Sequence, residues 1–374
     1  EPTVRVTLTP RSDTICDGEN VSITLTSPSI PSRGVRFRYI HEAPVGVNVI
    51  PGSGSDLEPN DQIQDQIINT TDEDQLVWFI VTPYSTDGQG ETEKCPGVVD
   101  TAFIWVEPTP RVTLTPIIDT ICNGENVNIT LTSPSEPTRE VRFRYEHIAP
   151  PGVTVIPGSD GNLSPDFTIT DRIDNTTDAA QLVQFVVTPY TRHATGELEK
   201  CAGISDTADI WVEPTARVFL TPMNDTICNE ENVSIRITSP STPTRTVRFR
   251  YIAEAPPGVT VTPGSGNDLS PNYEIADQIV NTTNDAQAVL FIVTPYARNA
   301  GDDNEKCAGR SDTAIVWVEP TARVVLTPVN DTICDGDNVS ITLTSPSNPT
   351  RGVRFRYITE APPGVSVIPG AVGY

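Results

Sequence analysis

The sequence predicts an all-β fold, a linear array of tandem β-sandwich domains. Three features carry that expectation. Apolar and polar residues alternate with a period of two, as in Val35, Phe37 and Tyr39 of "VRFRY", because successive side chains of a strand point to opposite faces. Runs with the period of an amphipathic helix are missing, and 35 Pro and 24 Gly punctuate the chain. The sequence also repeats itself, with a unit long enough to be a domain.

The repeat is read from its openings. "EPTVRVTLTP" begins at Glu1, "EPTPRVTLTP" at Glu107, "EPTARVFLTP" at Glu213 and "EPTARVVLTP" at Glu319, a period of 106 residues without insertion or deletion. The expected domains are therefore residues 1–106, 107–212 and 213–318, with 319–374 the first half of a fourth. Within each unit the elements follow in order. "NVSITLT" places Val21, Ile23 and Leu25 on one face and Ser22, Thr24 and Thr26 on the other. "VRFRY", a half-buried strand, recurs at Val35, Val141, Val247 and Val353, and "NTT" at Asn69, Asn175 and Asn281. "QLVWFIVTPY" (Gln75–Tyr84) is apolar on both faces and reads as a central strand, and "TAIVWVEP" as a last buried one. About seven short strands per unit suit an immunoglobulin-like sandwich. Antibody-type details are absent, since Trp105, Trp211 and Trp317 follow the second Cys of each unit and no Tyr stands two residues before it.

Successive units meet at "WVEPTPRV" or "WVEPTARV", with Trp105, Glu107 and Pro108, then Trp211, Glu213 and Pro214, then Trp317, Glu319 and Pro320. Only four residues separate the last strand of one unit from the first of the next. Proline fixes φ and offers no N–H, so it stops the ladder from running on. No Gly/Ser linker is present. The stretch reads as a short, stiff joint.

Seven cysteines fall at 16, 95, 122, 201, 228, 307 and 334. Pairing within units gives Cys16–Cys95, Cys122–Cys201 and Cys228–Cys307 and leaves Cys334 over. Pairing across the seam, Cys95 with Cys122, leaves Cys16 over instead. The first is preferred because each unit then carries its own staple, adding about 4 kcal/mol in the chain-entropy treatment. Regular cysteine pairs imply an oxidising, extracellular setting at the cell surface or beyond. Zinc is the rival reading, but neither a CxxC spacing nor a His partner accompanies them.

A net charge of −24 argues against a nucleic-acid partner or an anionic membrane surface, which would repel the chain. No stretch approaches the roughly 18–20 apolar residues that cross a bilayer. The chain begins with Glu and has Met223 as its single Met, which suggests a processed product or a segment of something longer.

Taken as a set, "DTICDGENVSITLTS", "VRFRY", "NTT", "VTPY", "EKCAG" and "DTAIVWVEP" resemble the polycystic-kidney-disease-like (PKD-like) repeats of very large secreted surface proteins. Those occur in bacteria that use type IX secretion and include adhesins of gliding motility. The resemblance implies an extracellular, disulfide-stapled sandwich array with a structural or adhesive role. It covers every full unit, and the half unit departs from it at "IPGAVGY" before Tyr374.

Candidate chemistry is sparse. His41 and His147 are equivalent, replaced by Ala253 and Thr359, and read with His193 as surface residues in variable loops. No Ser/His/Asp set, HExxH pattern or phosphate-cradling loop occurs. Asp65, Asp171 and Asp277 recur, as do Asp13, Asp119, Asp225 and Asp331. These could serve a Ca²⁺ site at a joint, although turn-capping explains them more simply, and "GDDNE" at Gly301–Glu305 is not repeated. Asp-Thr recurs with Thr14, Thr101, Thr120, Thr207, Thr226, Thr313 and Thr332. The pattern is similar to the O-glycosylation motif of the bacteria just described, although a turn Asp leading into a strand is the preferred reading. N-x-[ST] at Asn20, Asn69, Asn128, Asn175, Asn232 and Asn281 reflects strand composition. Lys94, Lys200 and Lys306, the only lysines, read as surface charge, with a Lys–Asn isopeptide bond as the alternative.

The expected function is a non-enzymatic extracellular rod or filament whose partners are other copies or neighbouring repeats. A multivalent adhesin comes second, binding glycans or surfaces through the loops around His41–Val49 and Ser85–Thr92. The spacer arm of a larger secreted enzyme comes third. If Tyr374 is a terminus, the half unit must borrow strands from another chain; the preferred reading is that the chain continues in register.

Overall fold

The computed structural model describes residues 3–87, 93–192, 196, 198–298 and 304–368. Part of the Ser85–Thr92 loop, His193, most of "GDDNE" and Tyr374 lie outside them. The chain forms two compact units, Glu1–Asp174 with Leu182–Trp211, and Asn175–Gln181 with Val212–Tyr374.

In the first repeat β1 (Thr7–Thr9), β2 (Ser12–Cys16), β3 (Ile23–Thr26) and β4 (Val35–Glu42) are followed by β5 (Val47–Ile50), β6 (Ser53–Leu57), β7 (Gln62–Ile63) and β8 (Gln66–Asn69). The long β9 (Gln75–Thr86), β10 (Glu93–Pro96) and β11 (Asp100–Glu107) complete it. More and shorter strands form than the seven expected, because Pro and Gly interrupt the alternating stretches. One layer is the sheet β2-β11-β9-β4-β6, with β10 added to β9; the other is β1-β3-β7 beside β5-β8. Residues 7–16 serve both layers: β1 pairs antiparallel with β3, and after Pro10 the chain crosses so that β2 pairs parallel with β11.

The period-two pattern does what the sequence promises. Val35, Phe37 and Tyr39 point inward from β4, Val77, Phe79 and Val81 from β9, and they meet Leu8, Ile23, Leu25, Ile63 and Ile67 from the opposite layer in one core. The third repeat builds the same core from Phe249, Tyr251, Phe291 and their neighbours. Each fully buried Phe of this kind contributes roughly 1.5–3 kcal/mol.

One buried polar group pins the layers together. Tyr39 Oη donates to Asp65 Oδ1 at 2.7 Å and the Gly52 amide donates to Asp65 Oδ2 at 2.9 Å. Gly52 has φ +83, and a Cβ there would meet the His41 ring at 2.6 Å, so only glycine fits. The pin recurs as Tyr145–Asp171 and Tyr251–Asp277. Burial first, then the hydrogen bond to Asp65, pushes the Tyr39 hydroxyl well above the usual phenol range.

Among its described residues the fourth repeat has one strand pair, Val325–Thr327 with Thr342–Thr344. Leu326 is 42% exposed where its equivalent Leu220 is 4% exposed, because counterparts of the covering strands β9 and β11 do not occur in residues 319–374.

The disulfide pairing differs from the expectation. Cys16 bonds Cys201, one repeat further on. Cys122 and Cys307 are also in disulfides, whereas Cys95, Cys228 and Cys334 are free and exposed. The expected Cys16–Cys95 bond fails on geometry. Cys16 lies level with Glu107 at the start of β9, and Cys95 lies beside Ser85 near its end. About 30 Å of strand separates those levels, against the ~4.4–6.8 Å between Cα atoms that a disulfide spans. The same objection removes Cys122–Cys201 and Cys228–Cys307, and free Cys95 removes the seam pairing with Cys122.

Candidate functional site

The features that recur most faithfully converge on the joint. β11 carries the chain out of the first sandwich, and its last residue, Glu107, is fully buried (0% exposed). Its Oε2 accepts the amide N–H of Thr138 in the next repeat at 3.0 Å, and Arg139 Nε stands 4.0 Å from Oε1. Burial raises the Glu107 carboxyl above the ordinary range, while Thr138 and Arg139 draw it back. Glu213 accepts from the Thr244 amide at 3.0 Å and Glu319 from the Thr350 amide at 2.9 Å. Pro108, Pro214 and Pro320 are all buried.

Main-chain bonds cross the joint as well. Glu136 N donates to the Asp72 carbonyl at 2.6 Å and Asp74 N to the Glu136 carbonyl at 3.3 Å, making a parallel bridge between Glu73 and Glu136. Arg111 pairs with Asp72. In the second unit the same bridges join Ala179 to Thr242 and Asp285 to Asn348, and Arg217 Nε donates to Asp178 Oδ1 at 2.8 Å.

The "NTT" stretch holds the acidic loop in place. Asn69 Nδ2 donates to the carbonyls of Glu73 at 2.9 Å and Val106 at 3.0 Å, and its Oδ1 accepts from Thr71 N–H at 3.0 Å. Asp17, just after Cys16, accepts from Asn69 N–H at 2.7 Å and Thr109 Oγ1 at 2.6 Å. With Asn69, Asn175 and Asn281 buried, these amides are structural pins rather than glycan acceptors.

The C-x-G motif supplies the receiving side. Cys201 lies opposite Thr191 on the neighbouring strand, and the Ile204 amide donates to the Pro110 carbonyl at 3.0 Å. A Cβ on Gly203 would sit 2.1 Å from that carbonyl oxygen, so glycine lets the two main chains approach. Cys201 is thereby held at the entry end of its repeat, and Cys16 at the exit end of the one before. The disulfide straddles the joint.

Other candidate residues fall elsewhere. All seven Asp-Thr pairs close the same small turn, with Asp Oδ1 accepting the next Thr amide N–H at 2.7–3.0 Å. Thr14, Thr101, Thr120, Thr207 and Thr313 are half-buried, and Thr226 and Thr332 exposed. His41 and His147 lie on strands, not in loops, and each Nδ1 donates to a carbonyl, of Gly52 or Gly158, at 2.7 Å. Asp65, Asp171 and Asp277 belong to the Tyr pins. Among the described residues no group of three or more His, Cys, Asp or Glu side chains could hold a metal ion. Lys94 and Lys306 are exposed and Lys200 half-buried. Trp211 and Trp317 are partly exposed on the outer sheet face. Among the described residues no helix is long and apolar enough to cross a membrane.

Fold and joint together define a protein of tandem immunoglobulin-like β-sandwich domains with disulfides. The chain belongs to the PKD-like domain family, whose model matches residues 13–110 and 225–322. Such domains in tandem, with disulfides, fit an extracellular structural or adhesion-type protein. No curated protein matches the sequence. Among solved structures, the ICAM-5 D1–D4 ectodomain fragment is similar at 12% identity, covering 87% of this chain and 80% of that one with a TM-score of 0.30. The FN1–FN3 domains of chicken CNTN1 are 11% identical, covering 85% and 99% with a TM-score of 0.25. The D00–D0 domain of intimin is 11% identical, covering 55% and 98% with a TM-score of 0.30.

Proposed function

We propose that the chain is a non-enzymatic, extracellular structural protein, a stiff rod or filament segment of PKD-like repeats with domain limits at 106, 212 and 318. The observation that carries this reading is the joint, which combines a buried Glu, a buried Pro, a main-chain bridge and, at the first joint, a disulfide. A tether that only had to reach would have no use for such fixing. Secretion by a type IX system and glycans on the Asp-Thr threonines belong to the same reading, supported by the PKD-like sequence pattern. Negative-stain electron microscopy tests it. Straight, elongated particles are expected, and freely bent beads would overturn it.

One observation favours a second reading, a glycan-binding adhesin. Trp78 and Phe103 are exposed side by side on the outer face of β9 and β11, with ring centroids 6.1 Å apart. Aromatic faces of this kind can stack on sugar rings. The second repeat has a polar pair there, Gln184 donating to Asp209 at 3.0 Å, so binding would belong to particular repeats. Glycan-array binding abolished by Trp78→Ala would support it, and an array without signal would remove it.

A further inference from the structure

We propose that the entry face of the first repeat is a preformed docking surface for the exit end of another PKD-like repeat joined in series ahead of it, sealed by a disulfide from Cys95 to that repeat's opening cysteine. The inference rests on reading the repeats as an end-to-end array.

The face is built as it is in the second repeat, where it is occupied. Arg5 N–H donates to Ser29 Oγ at 3.0 Å, as Arg111 N–H does to Ser135 Oγ at 3.1 Å. The Val98 amide donates to the Val4 carbonyl at 2.8 Å, as Ile204 does to Pro110 at 3.0 Å. The Arg5–Val98 bridge matches the Arg111–Ile204 bridge. What differs is cover. Ser135, Ser241 and Ser347, at the same place in the repeats that follow another, are buried, and so are Cys201 and Cys307. Ser29 is half-buried, Cys95 exposed, and Ile30, which corresponds to the bridge residue Glu136, is 93% exposed.

Charge selects the occupant. Arg111 engages Asp72 and Arg217 engages Asp178 on the acidic loop of the preceding repeat. Arg5 presents the same cation, so the partner offers an acidic loop after its "NTT" and a cysteine after its "TI". The equivalents of Cys95 in the next two repeats, Cys201 and Cys307, are both disulfide-bonded. The bond forms by exchange with a small-molecule disulfide such as oxidised glutathione. One protein thiolate attacks it, giving a mixed disulfide and one small thiol. The second protein thiolate then displaces the other small thiol. Two protein thiols lose two electrons and two protons, and one small disulfide becomes two thiols.

The test uses the full chain with one copy of residues 1–106 fused in register before Glu1, refolded in a glutathione redox buffer and mapped by non-reducing peptide mass spectrometry. Cys95 of the original repeat should be linked to the opening cysteine of the added one, and the linkage should vanish when that cysteine is changed to Ser. Ile30→Pro, which removes the bridging N–H, should cut the linked fraction severalfold while Cys16–Cys201 stays intact. If Cys95 stays fully alkylatable while Cys16–Cys201 forms, the docking proposal is wrong and the array reading stands. If Cys16–Cys201 is also missing, both fall.

Discussion

Replacing Cys16 by Ser removes the disulfide across the first joint, and the size of the effect follows from the closed loop. The bonded residues are 185 apart in sequence. With the loop-entropy relation −2.1 − 1.5R ln n cal/mol/K, a loop of that length restrains the unfolded chain by about 5 kcal/mol at 25 °C. Two repeats that unfold together comprise about 200 residues, and at ~2.1 cal/mol/K per residue their unfolding entropy is about 0.4 kcal/mol/K. The expected drop in Tm is therefore about 12 °C. Differential scanning calorimetry without reductant should show it for Cys16→Ser and equally for Cys201→Ser, with Cys95→Ser unchanged. A staple inside the repeat demands the opposite pattern. If Cys95→Ser lowers Tm as far as Cys16→Ser while Cys201→Ser leaves the first repeat untouched, the cross-joint pairing is refuted.

Other consequences follow from the same contacts. Glu107→Ala strips the Thr138 N–H of its buried acceptor and should cost about 1–3 kcal/mol in urea unfolding. Because burial raises the folded Glu107 carboxyl, its contribution is complete below the ordinary Glu range and is lost as pH rises through the folded value; Glu107→Gln should therefore gain stability at pH 7 relative to pH 4. Tyr39, Tyr145 and Tyr251 hold their protons above the usual phenol range, so above about pH 10 the unfolded chain releases protons that the native one retains. Stability should fall steadily from there, with the 295 nm phenolate absorbance lagging until unfolding. Asp65→Ala leaves Tyr39 Oη and Gly52 N–H buried without an acceptor and should cost more than Tyr39→Phe, by about 1–3 kcal/mol. EDTA should leave Tm unmoved, since the recurring carboxylates already accept hydrogen bonds from the protein.

Much of the fold was legible because its cause is local. "VRFRY" and "NVSITLT" alternate, and the structure buries the apolar half of each. The last strand of each full repeat ends at Glu107, Val212 or Val318, just ahead of the proline whose missing N–H marked where the ladder stops. The cysteine pairing was not legible, because spacing along the chain does not reveal which end of a sandwich a residue occupies. That depends on β2 running parallel to β11, a long-range choice made after the crossover at Pro10. Glu107 was also missed as an acceptor, since a glutamate beside a proline ordinarily faces water. A signal existed in the Thr-Arg that recurs at Thr138-Arg139, Thr244-Arg245 and Thr350-Arg351, in step with each Glu. Likewise nothing in the sequence assigns a role to the Gly after each second Cys, which the structure uses for the close approach of Gly203 to the Pro110 carbonyl.

The disulfide of Cys16 fastens the first repeat to the second rather than closing the first upon itself. Non-reducing proteolysis of the purified chain with mass spectrometry of the linked peptides tests it most directly. A linked peptide pair containing Cys16 and Cys201 is expected, with Cys122 and Cys307 also recovered in disulfides and Cys95 recovered as an alkylated thiol. A peptide joining Cys16 to Cys95 would contradict it.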